Sequence, residues 1–307
     1  MADAKRVIKI GAATVHRVEE LTFKFPMELL TRDADVLRRH EPWLLPNFMD
    51  PGRSTFDFSC HSWLVQVDGR TVLVDPCNGN GRVRPVLRQF DHLDTPYIER
   101  FEATGVRPDE VDFVFCTHMH CDHCGWNTQL RDGRWIPTFP KARYLFVRRE
   151  YERWRPDRPG HAAVDYNVGV FEDSVRPIVE AGLADLVQGI HRVSSSVTIE
   201  PAYGHTFGHS MLHVVSNGAE AYFCGDAFHH PLQLLYPELH LPGCDDLAQA
   251  IVTRRELRDL CAERNALLLP AHFSAPHAGT VSRTSEGYQF QPLWTCLEAS
   301  CLQNGAR

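Results

Sequence analysis

No apolar run in this chain of 307 residues approaches the length needed to span a bilayer. The start, Met1-Ala-Asp-Ala-Lys-Arg, lacks the hydrophobic stretch of a secretory signal, so the expected location is the cytoplasm and no membrane partner is expected. Positive charge is also in short supply. Thirty-two Lys and Arg face 39 Asp and Glu, for a net charge of -7. That balance argues against a nucleic-acid partner, which normally demands a basic footprint. The local run Arg148, Arg149, Arg153, Arg155 and Arg158 reads as a solvated helix face. Linkers and low-complexity tracts are missing too. With 43% hydrophobic residues, the chain can bury a large core in one structural domain. Ten cysteines are scattered, several within apolar runs where a reduced thiol acts as a small hydrophobe. Only Cys121-x-x-Cys124 has redox or zinc-like spacing, and no second pair closes a tetrahedral site.

What is present is concentrated at Thr117-His118-Met119-His120-Cys121-Asp122-His123-Cys124-Gly125. Three imidazoles and one carboxylate fall within six residues, and these are the groups that best hold borderline divalent metals. The apolar run Val111 to Cys116 before them reads as a buried strand. His118 and His120 point the same way if that segment is extended, while Asp122 and His123 follow after a turn. One segment can therefore feed two neighbouring ions.

Further ligand types recur after other apolar runs. Gly204-His205-Thr206-Phe207-Gly208-His209 holds two histidines in a glycine-punctuated turn. Asp226 ends the strand-like stretch to Gly225, and His272 follows Leu267 to Ala271. Asp68-Gly69 and Asn217-Gly218 are hairpin signals, and the second hairpin brings His209 and Asp226 to one end. Asp75 reads as a strand-terminating turn residue, with an outer contact that supports the ligands as the alternative. Phe171 to Gly182 has helical spacing interrupted by Pro177. Asp245 to Asn265 is a better amphipathic helix, with Leu247, Ile251, Leu257, Leu260 and Cys261 as core candidates. Periodicity alone gives a mixed α and β protein.

These segments resemble the metallo-β-lactamase-fold hydrolase superfamily, whose signature is H-x-H-x-D-H followed by distant His, Asp and His. The likeness runs from about Ser62 to His272. It implies an α+β fold, a four-layer αββα sandwich. With the second histidine of the glycine turn taken as the ligand, it implies a first metal on His118, His120 and His209. A second metal would sit on Asp122, His123 and His272, with Asp226 as the bridge. Two divalent ions, zinc by default with manganese, cobalt or iron as alternatives, would acidify a shared water for attack on a carbonyl or phosphoryl centre. Asp122 could also orient that water.

Within the superfamily the chain is most similar to the lactonase and organophosphate-hydrolase branch, including the N-acyl homoserine lactonases. Those carry Tyr three residues after the bridging Asp, where this chain has His229. His229 is thus a candidate proton donor or substrate contact. Trp126, Phe207, Phe228 and Phe273 each lie within three residues of an expected ligand and would make the site's mouth aromatic. The expected substrate is a lactone or hydrophobic ester. A phosphotriester, a thioester, a β-lactam, or iron redox chemistry in the same ligands are the alternatives. Residues 1–60, rich in aromatics, are expected to form an ordered extension on the 61–307 hydrolase domain or a homodimer contact. Residues 80–105, with Arg82, Arg84 and Arg88, read as a polar insertion covering the surface or bordering the site.

Overall fold

The computed structural model describes residues 7–158, 164–285 and 287–294. The opening hexapeptide lies outside them. Strands β1 (Val7–Ile10), β2 (Ala13–Pro26), β3 (Thr55–Val67), β4 (Arg70–Val74) and β5 (Phe113–Phe115) begin the chain's sheet structure. A small hairpin, β6 (Thr128–Arg131) and β7 (Arg134–Pro137), precedes β8 (Arg143–Val147) and β9 (Ala184–Val187). The C-terminal half supplies β10 (His191–Arg192), β11 (Val197–Pro201), β12 (Ser210–Ser216), β13 (Ala219–Gly225), β14 (Leu267–Pro270), β15 (Gly279–Thr284) and β16 (Gly287–Pro292). They form two seven-stranded sheets, ordered β1-β2-β3-β4-β5-β8-β9 and β10 to β16 in sequence.

Strand alternation sorts the core into layers. Val65, Val72, Val74 and Phe115 of the first sheet share one apolar cluster with Ile199, Leu212, Val214, Phe223 and Leu269 of the second. This is the filling between the sheets. Their neighbours Leu64, Leu73 and Val114, and Tyr222, Cys224 and Leu268, point the other way. There they pack with helical residues such as Tyr97 and Phe101, or Leu257 and Cys261. The result is the expected αββα sandwich.

Both hairpin signals act as read. Asp68-Gly69 and Asn217-Gly218 all have positive φ, as a two-residue turn matched to strand twist requires. The helix over Leu247–Arg264 starts on an Asp246 side-chain cap and stops at left-handed Asn265. Leu257 and Cys261 are buried on it as expected, but Leu247, Ile251 and Leu260 are only partly buried. Arg254 fills much of that face, donating to the carbonyls of Ala227, Pro237 and Leu239. Pro177 marks a late start, because the helix proper runs Arg176–Glu180 after a wider turn.

Two regions differ from expectation. Strand β3 begins at Thr55, ahead of Ser62 where the family likeness is expected to start, and β2 pairs along it from Pro26↔Thr55 to Thr14↔Gln66. Residues before 60 therefore build the first sheet. Residues 80–105 carry buried arginines, so their polarity does not mean solvation. Arg82 donates to the carbonyls of Gly125 and Thr128 and pairs with Asp173 at 2.8 Å, and Arg84 pairs with the same carboxylate at 2.9 Å. A buried charge is tolerated only when paired and hydrogen-bonded, and here it ties the insertion to the loop after His123. Arg82→Ala should destabilise the fold by about 3 kcal/mol. An unchanged urea unfolding midpoint would contradict this role.

Candidate metal centre

The expected ligands gather at one rim of the sandwich. β4 and β5 are parallel, as are β13 and β14, so Asp75, the His118 loop, Asp226 and His272 all leave the same edges. Two backbone bonds tie the rim across the sheets, from Ser210 N to Thr117 O at 2.9 Å and from Ser59 N to His272 O at 3.3 Å. At Gly225 the chain takes φ +48, and a Cβ there would stand 2.5 Å from Thr117 Oγ1 and 2.9 Å from His209 Nε2. Glycine is what lets Asp226 turn in beneath the His118 loop. At Gly125 a Cβ would meet the Asn78 carbonyl oxygen at 1.7 Å. That close approach lets Gly125 N and Trp126 N donate to the carbonyls of Cys77 and Pro76.

At the centre lies the Asp226 carboxylate, whose two oxygens face different imidazoles. Oδ1 stands 3.2 Å from His123 Nε2 and 3.0 Å from His272 Nε2. Oδ2 stands 3.4 Å from His205 Nε2, 3.0 Å from His229 Nε2 and 4.0 Å from His118 Nε2. The imidazoles crowd one another as well. His118 Nε2 is 3.0 Å and His205 Nε2 is 3.1 Å from His120 Nδ1, and His123 Nε2 is 3.1 Å from His272 Nε2. Asp122 completes the second group, 3.7 Å from His123 Nε2 and 3.6 Å from His272 Nε2.

Electrostatics favour ligation. Burial, reinforced by neighbouring imidazoles, holds His118 well below its usual pKa. Burial likewise lowers His120 to about 3 and pushes His205 well down, so their lone pairs stay available. Burial works against charge on His123, but Asp226, Asp122 and Asp75 outweigh it and push that histidine up. Burial works to raise Asp226 too, and His123, His272, His229 and His205 overcome it to hold the carboxyl well below the usual range. Asp226 Oδ1 is nevertheless buried without a hydrogen-bond donor. Such a group calls for a positive partner, and a divalent cation between these side chains supplies one. The donor set fits the expected metals.

The two turn histidines face different ways. His209 is spent on the backbone: Nδ1 donates to Ala202 O at 2.9 Å, and Nε2 accepts from Asp226 N at 3.1 Å. In that arrangement its Nε2 lone pair is taken by the Asp226 amide. His205 instead aims Nε2 into the cluster, within metal-binding reach of His118 and His120. Spacing could not separate two histidines four residues apart in one turn.

Asp75 is more than a turn residue. It is left-handed at φ 52, yet its Oδ1 accepts from Thr117 N at 2.7 Å and its Oδ2 from Thr117 Oγ1 at 2.9 Å. Oδ2 also stands 3.0 Å from His123 Nδ1, fixing which nitrogen faces inward. Two buried glutamates escaped the sequence reading. Glu150 accepts from Met119 N, Thr206 Oγ1 and Gly208 N, joining the His118–His120 segment to the His205 turn. Glu20 accepts from Asn78, Gly79 and Trp126. Nothing in their local sequence marks either one.

The aromatics expected at the mouth are mostly core. Trp126 donates to Glu20 Oε1 at 2.7 Å and stacks on Tyr97 with ring centroids 5.1 Å apart. Phe228 and Phe273 are buried in the main apolar cluster. Phe207 alone of the four is exposed, at 38%. Trp154 and Tyr166 instead edge onto His120, with centroids 5.5 and 5.3 Å away. Cys121 and Cys124 are buried thiols raised well above the usual pKa by burial, a poor setting for a reactive pair.

Residues 55–272 match the family model described as the metallo-beta-lactamase superfamily, well over half of the chain. The chain belongs to that superfamily. A curated relative, N-acyl homoserine lactonase AiiB of Agrobacterium fabrum, is 29% identical over 118 residues, which are 32% of this chain and 42% of the lactonase. The match thus spans under half of that relative's length. Among solved structures, the hydrolase AbOPH of the beta lactamase superfamily aligns with TM-score 0.76 at 19% identity, covering 94% of this chain and 97% of its own. The dizinc quorum-quenching lactonase AidC aligns with TM-score 0.72 at 16% identity over the same shares. These likenesses establish the fold.

Gly225→Ala should strain the turn under both Thr117 and His209. We expect about 1–3 kcal/mol of destabilisation and reduced metal content. A variant with the parent's melting temperature and metal load would contradict the packing argument.

Proposed function

We propose that the protein is a dinuclear metal-dependent hydrolase that opens a lactone or cleaves a hydrophobic ester. The observation that carries this reading is the division of Asp226 between two imidazole groups, one at each of its carboxylate oxygens. His118 Nε2, His120 Nδ1 and His205 Nε2 would hold the first ion, with Asp122, His123 Nε2 and His272 Nε2 on the second and Asp226 shared. Two divalent cations there, zinc foremost by the His-rich donor set, supply a water acidified toward neutrality and a Lewis acid for the substrate carbonyl.

The chain's own groups do the rest. Asp75 and the Ser59 carbonyl fix the rings of His123 and His272 through their outer nitrogens. Glu150 holds the two ligand loops in register. Asp122, partly exposed, orients the attacking water. His229 lies beside the bridge, and burial lowers its pKa so the ring is neutral. With Nε2–H donated to Asp226 Oδ2, Nδ1 is an acceptor that has no hydrogen-bond partner. That nitrogen takes up the proton released by water and returns it to the leaving alkoxide. A carboxylic ester is favoured because the site's flank at His120 is aromatic, through Trp154 and Tyr166, and the likeness to named lactonases points the same way.

Two measurements test this reading. Metal-loaded protein should turn over lactones and hydrophobic esters faster than phosphotriesters, thioesters or β-lactams, with zinc rather than iron bound. Activity confined to the latter substrates, or a coloured iron protein, would overturn the substrate or the reaction class. Among variants, His205→Ala should lose one ion per chain, while His209→Ala keeps its ligands and loses stability. His229→Phe should keep both ions and lose roughly a hundredfold in kcat. Metal loss only in His209→Ala would restore that histidine as the ligand.

A further inference from the structure

Beside the second group of ligands lies a thiol that the proposed hydrolytic scheme does not use. Cys60 projects from β3 on the same face as Phe58, two residues earlier. The Phe58 ring stacks on His272 with centroids 4.0 Å apart. Between them, the Ser59 carbonyl accepts from His272 Nδ1 at 2.8 Å. The strand is thus registered against His272 by three consecutive residues. Cys60 is 1% exposed, and ligand atoms of Cys60, Asp122 and His272 lie within 4.8 Å of one another. The partnerless Asp226 Oδ1, also buried, stands 3.0 Å from His272 Nε2. It marks independently that a cation belongs on this side of the bridge.

We propose that Cys60 is a sulfur ligand of the second ion. The inference rests on the dinuclear reading above. It gives the two ions different chemistry: nitrogen and carboxylate oxygen around the first, and an added thiolate on the second. On coordination the thiol proton passes to solvent and one sulfur–metal bond forms, with no change of oxidation state. Thiolate is a soft donor, so the second position would select zinc or cadmium over manganese. The competing account treats Cys60 as a small apolar side chain filling the core.

X-ray absorption on the wild-type, zinc-loaded enzyme separates the two, with zinc content measured on the same sample. We expect two zinc ions per chain and a sulfur shell at about 2.3 Å, averaging one sulfur over the two ions. Cys60→Ser should remove that shell, and Cys124→Ser should leave it. The cobalt-loaded wild type should likewise show a near-ultraviolet sulfur-to-cobalt band that Cys60→Ser loses. Two zinc ions with nitrogen and oxygen scattering alone would overturn the Cys60 proposal and leave the dinuclear reading standing. A sulfur shell that persists in Cys60→Ser would overturn it in favour of another cysteine. Fewer than two ions in the wild type would overturn the dinuclear reading itself, and this proposal with it.

Discussion

A single buried carboxylate organises this site. Asp226 sits where burial should neutralise it, yet surrounding imidazoles hold it ionised. Each of its oxygens meets a different set of nitrogens at 3.0 to 3.4 Å, His118 alone standing back at 4.0 Å. Isolated, an anion in this position would be costly, and so would a cluster of imidazole lone pairs packed at hydrogen-bond distance. Together they form a cluster of His and Asp side chains that could hold a metal ion. The fold supports that arrangement. Parallel strand pairs in both sheets release their chains at one rim, and Gly225 lets the carboxylate turn in.

Outside the ligands, the rim is held by buried charge rather than by a further apolar layer. Glu20, Glu150, Asp75 and the Arg82–Asp173–Arg84 group each cross-link segments far apart in sequence. Burial raises the Glu20 and Glu150 carboxyls, and the backbone and side-chain donors they accept from work against that rise. These contacts orient the ligand loops, which have little regular structure of their own. The helical turn Cys121–Cys124 is only four residues long. Precision at the metal-facing atoms therefore comes from tertiary contacts.

Much of this was legible in the sequence, for a physical reason. Six residues from His118 to His123 have no use as a core strand, and turn pairs such as Asn217-Gly218 announce hairpins locally. The sandwich itself came from family resemblance, since alternation gives strands but not their order. What stayed hidden depends on side-chain direction in folded loops. His205 and His209 differ only in which one the backbone of Ala202 and Asp226 captures. Asp75 looked like a turn residue because it is one, and its carboxylate works as well. Arg82, Arg84 and Trp126 looked like surface or mouth residues because their partners, Asp173 and Glu20, lie far away in the chain.

The central claim is that the two sides of Asp226 each hold an ion. Anomalous diffraction at the zinc edge from crystals of the zinc-loaded protein tests it most directly. The account predicts two peaks flanking the Asp226 carboxylate, about 3.5–4 Å apart. One of them should sit against His118, His120 and His205, and the other against Asp122, His123 and His272. A single peak, or a peak held by His209 in place of His205, would contradict it.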